Sequence, residues 1–150
     1  MRVVIQRVRE AAVAVDGEIT GAIGLGLLVL AGFEATDGAA DIDWMVGKIL
    51  RTRIFAGPDG VMNVAIGEVG GAILAVSQFT LYASLKKGNR PSWSRAAPGH
   101  IAQPLFACFV EKLANGLGQS VATGIFGADM QVSLVNDGPV TLTIDSQAAE

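Results

Sequence analysis

Two short runs carry the groups that could do chemistry. In Ser77-Gln78-Phe79-Thr80, two hydroxyls and a carboxamide follow the apolar run Ala72-Ile73-Leu74-Ala75-Val76. An apolar run without alternation reads as a strand buried on both faces. The polar groups then stand at a strand end, where they can line a pocket and backbone N–H groups can meet an oxyanion. A serine or threonine hydroxyl needs an adjacent base to attack, and none accompanies these, which argues for an attacking group on the substrate or a water. The plainer use of the same hydroxyls is to satisfy backbone groups. The second run is Asn136-Asp137-Gly138-Pro139-Val140-Thr141, set between two alternating segments. Pro139 has a fixed φ and no N–H, Gly138 reaches angles closed to other residues, and the bond between them can be cis. Such a step presents bare carbonyls rigidly, as a site judging the shape around a small chiral centre requires. An ordinary hairpin turn is the simpler reading.

Other chemistries lack their residues. His100 is the sole histidine, so a Ser-His-Asp or Cys-His arrangement must recruit it, and near a helix start it reads as a surface imidazole. Zinc needs three or four His, Cys or carboxylate ligands; with one His and one Cys, no metal is expected. Neither GxGxxG nor GxxxxGK[ST] occurs, so no nucleotide cofactor is implied. A net charge of −3 argues against general affinity for nucleic acid, yet phosphate contacts are local. Lys86, Lys87, Arg90 and Arg95 lie close together, interleaved with Gly88, Asn89, Pro91, Ser92 and Trp93. Cations, donors and an aromatic plane suit RNA; a solvated loop with Trp93 folded onto the core is the alternative.

These runs must be positioned by regular elements. Residues 2–9 and 11–16 read as two strands, with Asp16-Gly17-Glu18 the turn of a hairpin and 19–23 a third strand. Residues 26–32 read as a buried strand. Over 39–55 Ile42, Met45, Val46, Ile49, Leu50 and Ile54 recur at helical spacing, with Asp37 as candidate N-cap. After a turn at Gly57-Pro58-Asp59-Gly60 come the strand at 72–76, a helix over 98–117 with Pro104 in its first turns, and strands at 130–136 and 139–145. The expected fold is α+β: curved, largely antiparallel, barrel-like sheets with two main helices packed on them. With 51% hydrophobic and 17% charged residues and no linker or repeat, residues 1–150 read as one domain. The thirteen-residue apolar stretch 21–33, broken by glycines, is too short to span a bilayer. Arg7, Arg9 and Glu10 interrupt any signal core, and the single cysteine, Cys108, reads as a buried thiol in a reducing compartment. The expected location is cytoplasmic.

Together these segments resemble the D-aminoacyl-tRNA deacylase (D-tyrosyl-tRNA deacylase) family. The resemblance lies in Met1-Arg2-Val3-Val4-Ile5-Gln6-Arg7-Val8, Gly26-Leu27-Leu28-Val29-Leu30 and Ser77-Gln78-Phe79-Thr80-Leu81-Tyr82. It continues in Lys87-Gly88-Asn89-Arg90-Pro91-Ser92, Thr123-Gly124-Ile125-Phe126-Gly127-Ala128-Asp129-Met130 and Asn136-Asp137-Gly138-Pro139-Val140-Thr141. It implies a cofactor-free homodimer that hydrolyses the ester between a D-amino acid and tRNA, or glycine mischarged on tRNA-Ala, in chiral proofreading. By that resemblance Gly138 and Pro139 form a cis step reaching the partner subunit's active site. Their carbonyls would accept from the substrate's α-amino group and leave no room for an L side chain, with Arg7 holding the loop. Ser77, Gln78, Phe79 and Thr80 would form the other wall, with an oxyanion contact from Gln78 or from the backbone around Phe79 and Thr80. Thr80 as nucleophile and Thr80 as positioning group both stay open; the missing base favours the second, with the tRNA 2′-OH or a water it orients as activator. Phe126 and Met130 would pack on the terminal adenosine, and Lys86, Lys87 and Arg90 would face phosphate. Trp93 stands where the family usually has phenylalanine; Ala31, Phe33, Ala83 and Leu85 are smaller departures. Competing readings are a non-catalytic RNA-binding module, a dimerisation domain, and a serine esterase that would need His100.

Overall fold

The computed structural model describes residues 1–148. Ten regular elements follow in order: β1 (Arg2–Val15), β2 (Glu18–Ile23), β3 (Gly26–Gly32), α1 (Ala39–Arg51), β4 (Phe55–Ala56), β5 (Met62–Val64), β6 (Ala72–Ser77), α2 (Gly99–Leu117), β7 (Ala122–Thr123) and β8 (Gln131–Asp145). Short 3₁₀ turns occupy Ile66–Val69 and Phe79–Tyr82. The large sheet runs β2-β1-β3-β6-β7, with β8 also on β1; β4 and β5 form a separate hairpin. Antiparallel pairs join β1 to β2, β3 and β8, while β3-β6 and β6-β7 are parallel.

The sheet curls until the ends of this order nearly meet. A Cβ on Gly21 of β2 would lie 2.5 Å from the Thr123 carbonyl oxygen of β7, so only glycine permits that approach. The architecture is the expected α+β one, two helices on a barrel-like sheet, mixed rather than purely antiparallel. Both faces of β3 and β6 are buried, which explains their unbroken apolar runs. One core cluster joins Val3, Ile5 and Val29 to Ile42, Met45 and Ile49 of α1 and Phe109 and Leu113 of α2. A second joins Val8, Val13, Leu28, Leu74 and Val76.

Several expectations change. Residues 2–9 and 11–15 belong to one strand of 14 residues, Arg2–Val15, with Asp16 in the turn that follows. Likewise the strands expected at 130–136 and 139–145 fall in one 15-residue strand, β8, which starts at Gln131. Both halves pair with β1 instead of with each other, so Gly138-Pro139 is a bulge within a strand, not a hairpin turn. The turn at Asp16-Gly17 does join a hairpin, and both residues have positive φ as that turn requires. α1 ends at Arg51 because Phe55 is drawn into β4. Gly38, not Asp37, is its N-cap, and its N–H donates to the Asp41 carboxylate at 3.0 Å. Asp37 is instead buried, accepting from the Met1 ammonium at 2.6 Å and the Glu34 N–H at 2.7 Å. Pro104 sits in the second turn of α2 on the exposed side, where the unbonded His100 carbonyl can meet water. Cys108 is half-buried, its side chain against the main core.

Candidate active site

Ser77 ends β6 opposite Ala31 of β3, and the Gln78 N–H continues the ladder to the Ala31 carbonyl at 2.7 Å. At Gln78 the backbone leaves the strand and enters the turn Phe79–Tyr82. The first bond closing that turn runs from the Leu81 N–H to the Gln78 carbonyl at 3.3 Å. The N–H groups of Phe79 and Thr80 therefore head the turn with no acceptor inside it. The Gln78 carboxamide donates to Thr80 Oγ1, so that hydroxyl is held by an amide rather than by a base. A cavity of about 540 Å³ opens beside this turn, lined among others by Ser77, Gln78, Phe79, Trp93, Phe126 and Met130. Thr80, bonded to the Gln78 carboxamide, is not part of the lining, and neither is the exposed His100.

Gly138 and Pro139 are exposed on β8 and do not line this cavity. Their peptide bond is cis, and Gly138 has φ +124°. Pairing explains the loop's shape. Gln6 faces Thr141 and Val8 faces Asn136, so residues 137–140 bulge out opposite the single residue Arg7. Arg7 fills that gap: its Nε donates to the Asp137 carbonyl at 3.1 Å and lies 3.3 Å from the Asp137 carboxylate. Its other end donates to the Ile54 carbonyl. Asn136 closes the bulge's base, with Nδ2 donating to Thr141 Oγ1 at 3.0 Å and Oδ1 accepting the Val140 N–H at 3.3 Å. Sequence reading gave Asn136, Asp137 and Thr141 no such role, although polar residues flanking Gly-Pro within an apolar alternation were the available signal.

The basic loop is a small ribbon pinned by two bonds of 2.9 Å between the Ser84 and Ser92 backbones. Lys86, Lys87 and Arg90 are exposed on it. Arg95 is not available in the same way: it pairs with Glu34 at 2.9 Å and lies over the Tyr82 ring at 5.3 Å. The Glu34 hydrogen bond, then its charge, holds the Arg95 guanidinium above its usual value. Trp93 packs edge-on against Phe79, ring centroids 5.3 Å apart, so the residue read as part of an RNA loop is also cavity wall. Phe126 leans on Phe106 of α2, at 6.1 Å between centroids. Among the described residues, no three of His, Cys, Asp and Glu group as a metal site, and no helix is long and apolar enough to cross a membrane.

One chain thus brings Ser77, Gln78, Phe79, Phe126 and Met130 to one cavity, keeps Thr80 beside it, and leaves Arg7, Gly138 and Pro139 elsewhere. The chain is 69% identical to a "D-aminoacyl-tRNA deacylase" of Dechloromonas aromatica (strain RCB), over all of both sequences. It is 59% identical, again over all of both, to a protein of the same name from Chromobacterium violaceum. Among solved structures it superposes with a TM-score of 0.92 on one described as "c-Myc DNA Unwinding Element Binding Protein", at 39% identity, covering 99% of this chain and 100% of that one. The sequence model for D-Tyr-tRNA(Tyr) deacylase matches residues 4–145, and with these full-length likenesses it establishes that the chain belongs to the D-Tyr-tRNA(Tyr) deacylase family.

Proposed function

We propose that the chain, folded as one domain over 1–150, hydrolyses the ester between a D-amino acid and the 3′-terminal adenosine of tRNA in the cytoplasm. Glycine mischarged on tRNA-Ala is a substrate too, because the gate rejects a side chain and glycine has none. The observation that carries this reading is the cavity lined by Ser77, Gln78 and Phe79 at the head of a turn whose Phe79 and Thr80 N–H groups have no acceptor inside it, with no His, Asp or Glu among the lining residues. Such donors stabilise a developing oxyanion, while Thr80 positions and does not attack. The tRNA 2′-OH, or a water it orients, supplies the nucleophile's activation, and no cofactor takes part. Phe126 and Met130 receive the adenosine, and Lys86, Lys87 and Arg90 contact phosphate.

The gate is Gly138-Pro139, and it acts across a homodimer, because the step is exposed and outside its own chain's cavity. Its carbonyls accept from the α-amino group, and its backbone occupies the space an L side chain would need. Such a gate suits chiral proofreading in translation. A second reading, a nucleic-acid-binding module without catalysis, is favoured by the exposed basic ribbon and by the description of the 39% identical structure.

Hydrolysis of D-tyrosyl-tRNA and L-tyrosyl-tRNA, compared with EDTA present, separates these readings. Loss of the D-ester alone is the expected result. Binding without cleavage of either ester would favour the module, and cleavage of both would remove the gate.

A further inference from the structure

We infer that Arg2 is a positioning residue for ester hydrolysis, fixing the 3₁₀ turn that carries Phe79 and Thr80 to the end of the barrel. The inference rests on the reading of that turn as the catalytic wall. One guanidinium makes four contacts. Nη1 donates to the Leu81 carbonyl at 2.8 Å, inside the turn. Nε and Nη2 both donate to Asp145 Oδ2, at 2.9 and 2.8 Å, at the last residue of β8. The guanidinium carbon stands 4.8 Å from the centre of the Tyr82 ring, the turn's last residue. The planar fork of arginine can satisfy a carboxylate and a carbonyl while stacking on a ring; a lysine ammonium cannot.

The turn's other backbone bonds are local, from the Leu81 and Ala83 N–H groups to the Gln78 and Thr80 carbonyls, and Phe79 packs on Trp93. The turn's entry is held by the bond from Gln78 to Ala31. At its exit Tyr82 is 1% exposed, yet its hydroxyl has no partner among the described residues, so packing rather than a hydrogen bond holds the ring. Arg95 also lies over that ring, at 5.3 Å from its centre, but it bonds to Glu34 and not to the turn's backbone. Arg2 is thus the side chain that ties the turn's own carbonyl to a distant strand. Without it the Phe79 and Thr80 N–H groups lose their aim at the ester, and a misplacement of about 1 Å costs as much as ~100-fold in rate.

The test measures kcat and KM for D-tyrosyl-tRNA with the parent protein and with R2A, R2K, R2A/D145N and Q78A. Thermal melts establish that each variant is folded at the assay temperature. In R2A, kcat is expected to fall roughly 10- to 100-fold with KM changed less than about threefold. R2K should recover only part of that loss, and no variant should begin to cleave L-tyrosyl-tRNA. R2A/D145N removes the carboxylate left unpaired, and kcat should stay low, because what is missing is the hold on Leu81. Recovery of kcat in the double variant, or R2A within about twofold of the parent while Q78A is impaired, overturns the inference and leaves the site reading standing. Normal kcat in Q78A as well as R2A overturns both.

Discussion

A methyl group on Gly138 would sit 2.6 Å from an Arg7 guanidinium nitrogen and 3.1 Å from Val140 Cγ2, at a φ of +124°. The angle alone costs a residue with a side chain about 1–3 kcal/mol. The first clash is with the flexible end of Arg7, so the arginine would swing away and release the Asp137 carbonyl it holds. For G138A we expect the preference for D- over L-tyrosyl-tRNA to fall by roughly tenfold or more. The melting temperature should stay within a few degrees, since the step is exposed. Paired single-turnover assays check this; an unchanged D/L ratio would falsify the gate. The types of Gly138 and Pro139 were legible as a special backbone step. Arg7 reaching them was legible only through family likeness, because its spacing from Asp137 in sequence carries no information about a bulge.

At the scale of elements, β8 is held at its end by charge. Asp145 binds Arg2 and the Gln147 N–H, and Asp41 of α1 accepts from Ser146 and Gln147. Burial pushes both carboxyls up, but it is outweighed: at Asp41 by the Ser146 hydroxyl, the Gly38 N–H and the α-ammonium, at Asp145 by the Gln147 N–H and Arg2. Both therefore lie below the usual 3.8. A depressed carboxyl binds fewer protons folded than unfolded, so its stabilisation is complete above the usual value and is lost as pH falls through the folded one. Melting temperature should hold between about pH 7 and pH 5 and then decline as the pH is taken below 3.8. D41N and D145N should each flatten that fall, as melts across the pH series would show; equal slopes would mean that other carboxylates govern it. The helices were readable from the three- and four-residue spacing, which is local. The unity of β1 and of β8 was not, since a strand's length depends on which chain segment lies beside it.

For the whole molecule, the proposed gate at Gly138-Pro139 lies outside its own chain's cavity, and the proposed homodimer then makes a distinctive forecast about subunits. On that proposal, G138A spoils the gate that a subunit lends and Q78A the wall it keeps. Unfolded together and refolded in equal amounts, the two should give half mixed dimers, each with one intact site. Strict D-specific activity should then return to about a quarter of the parent's. A mixture no better than the average of the two variants would place gate and wall in one subunit. The amino-acid order alone determined the fold class, both helices and the buried strands at 26–32 and 72–76, and it singled out the two runs proposed to do chemistry. Those follow from local periodicity, turn residues and the poverty of bases and metal ligands. Tertiary structure decided what joins what: that Gln131–Asp145 is one strand against β1, that Trp93 is cavity wall, that Arg95 is spent on Glu34, and that Asp37 meets the Met1 ammonium. Each is a contact between residues far apart in the chain, and such contacts arise only when the sheet curls and buries its faces, which no local pattern encodes.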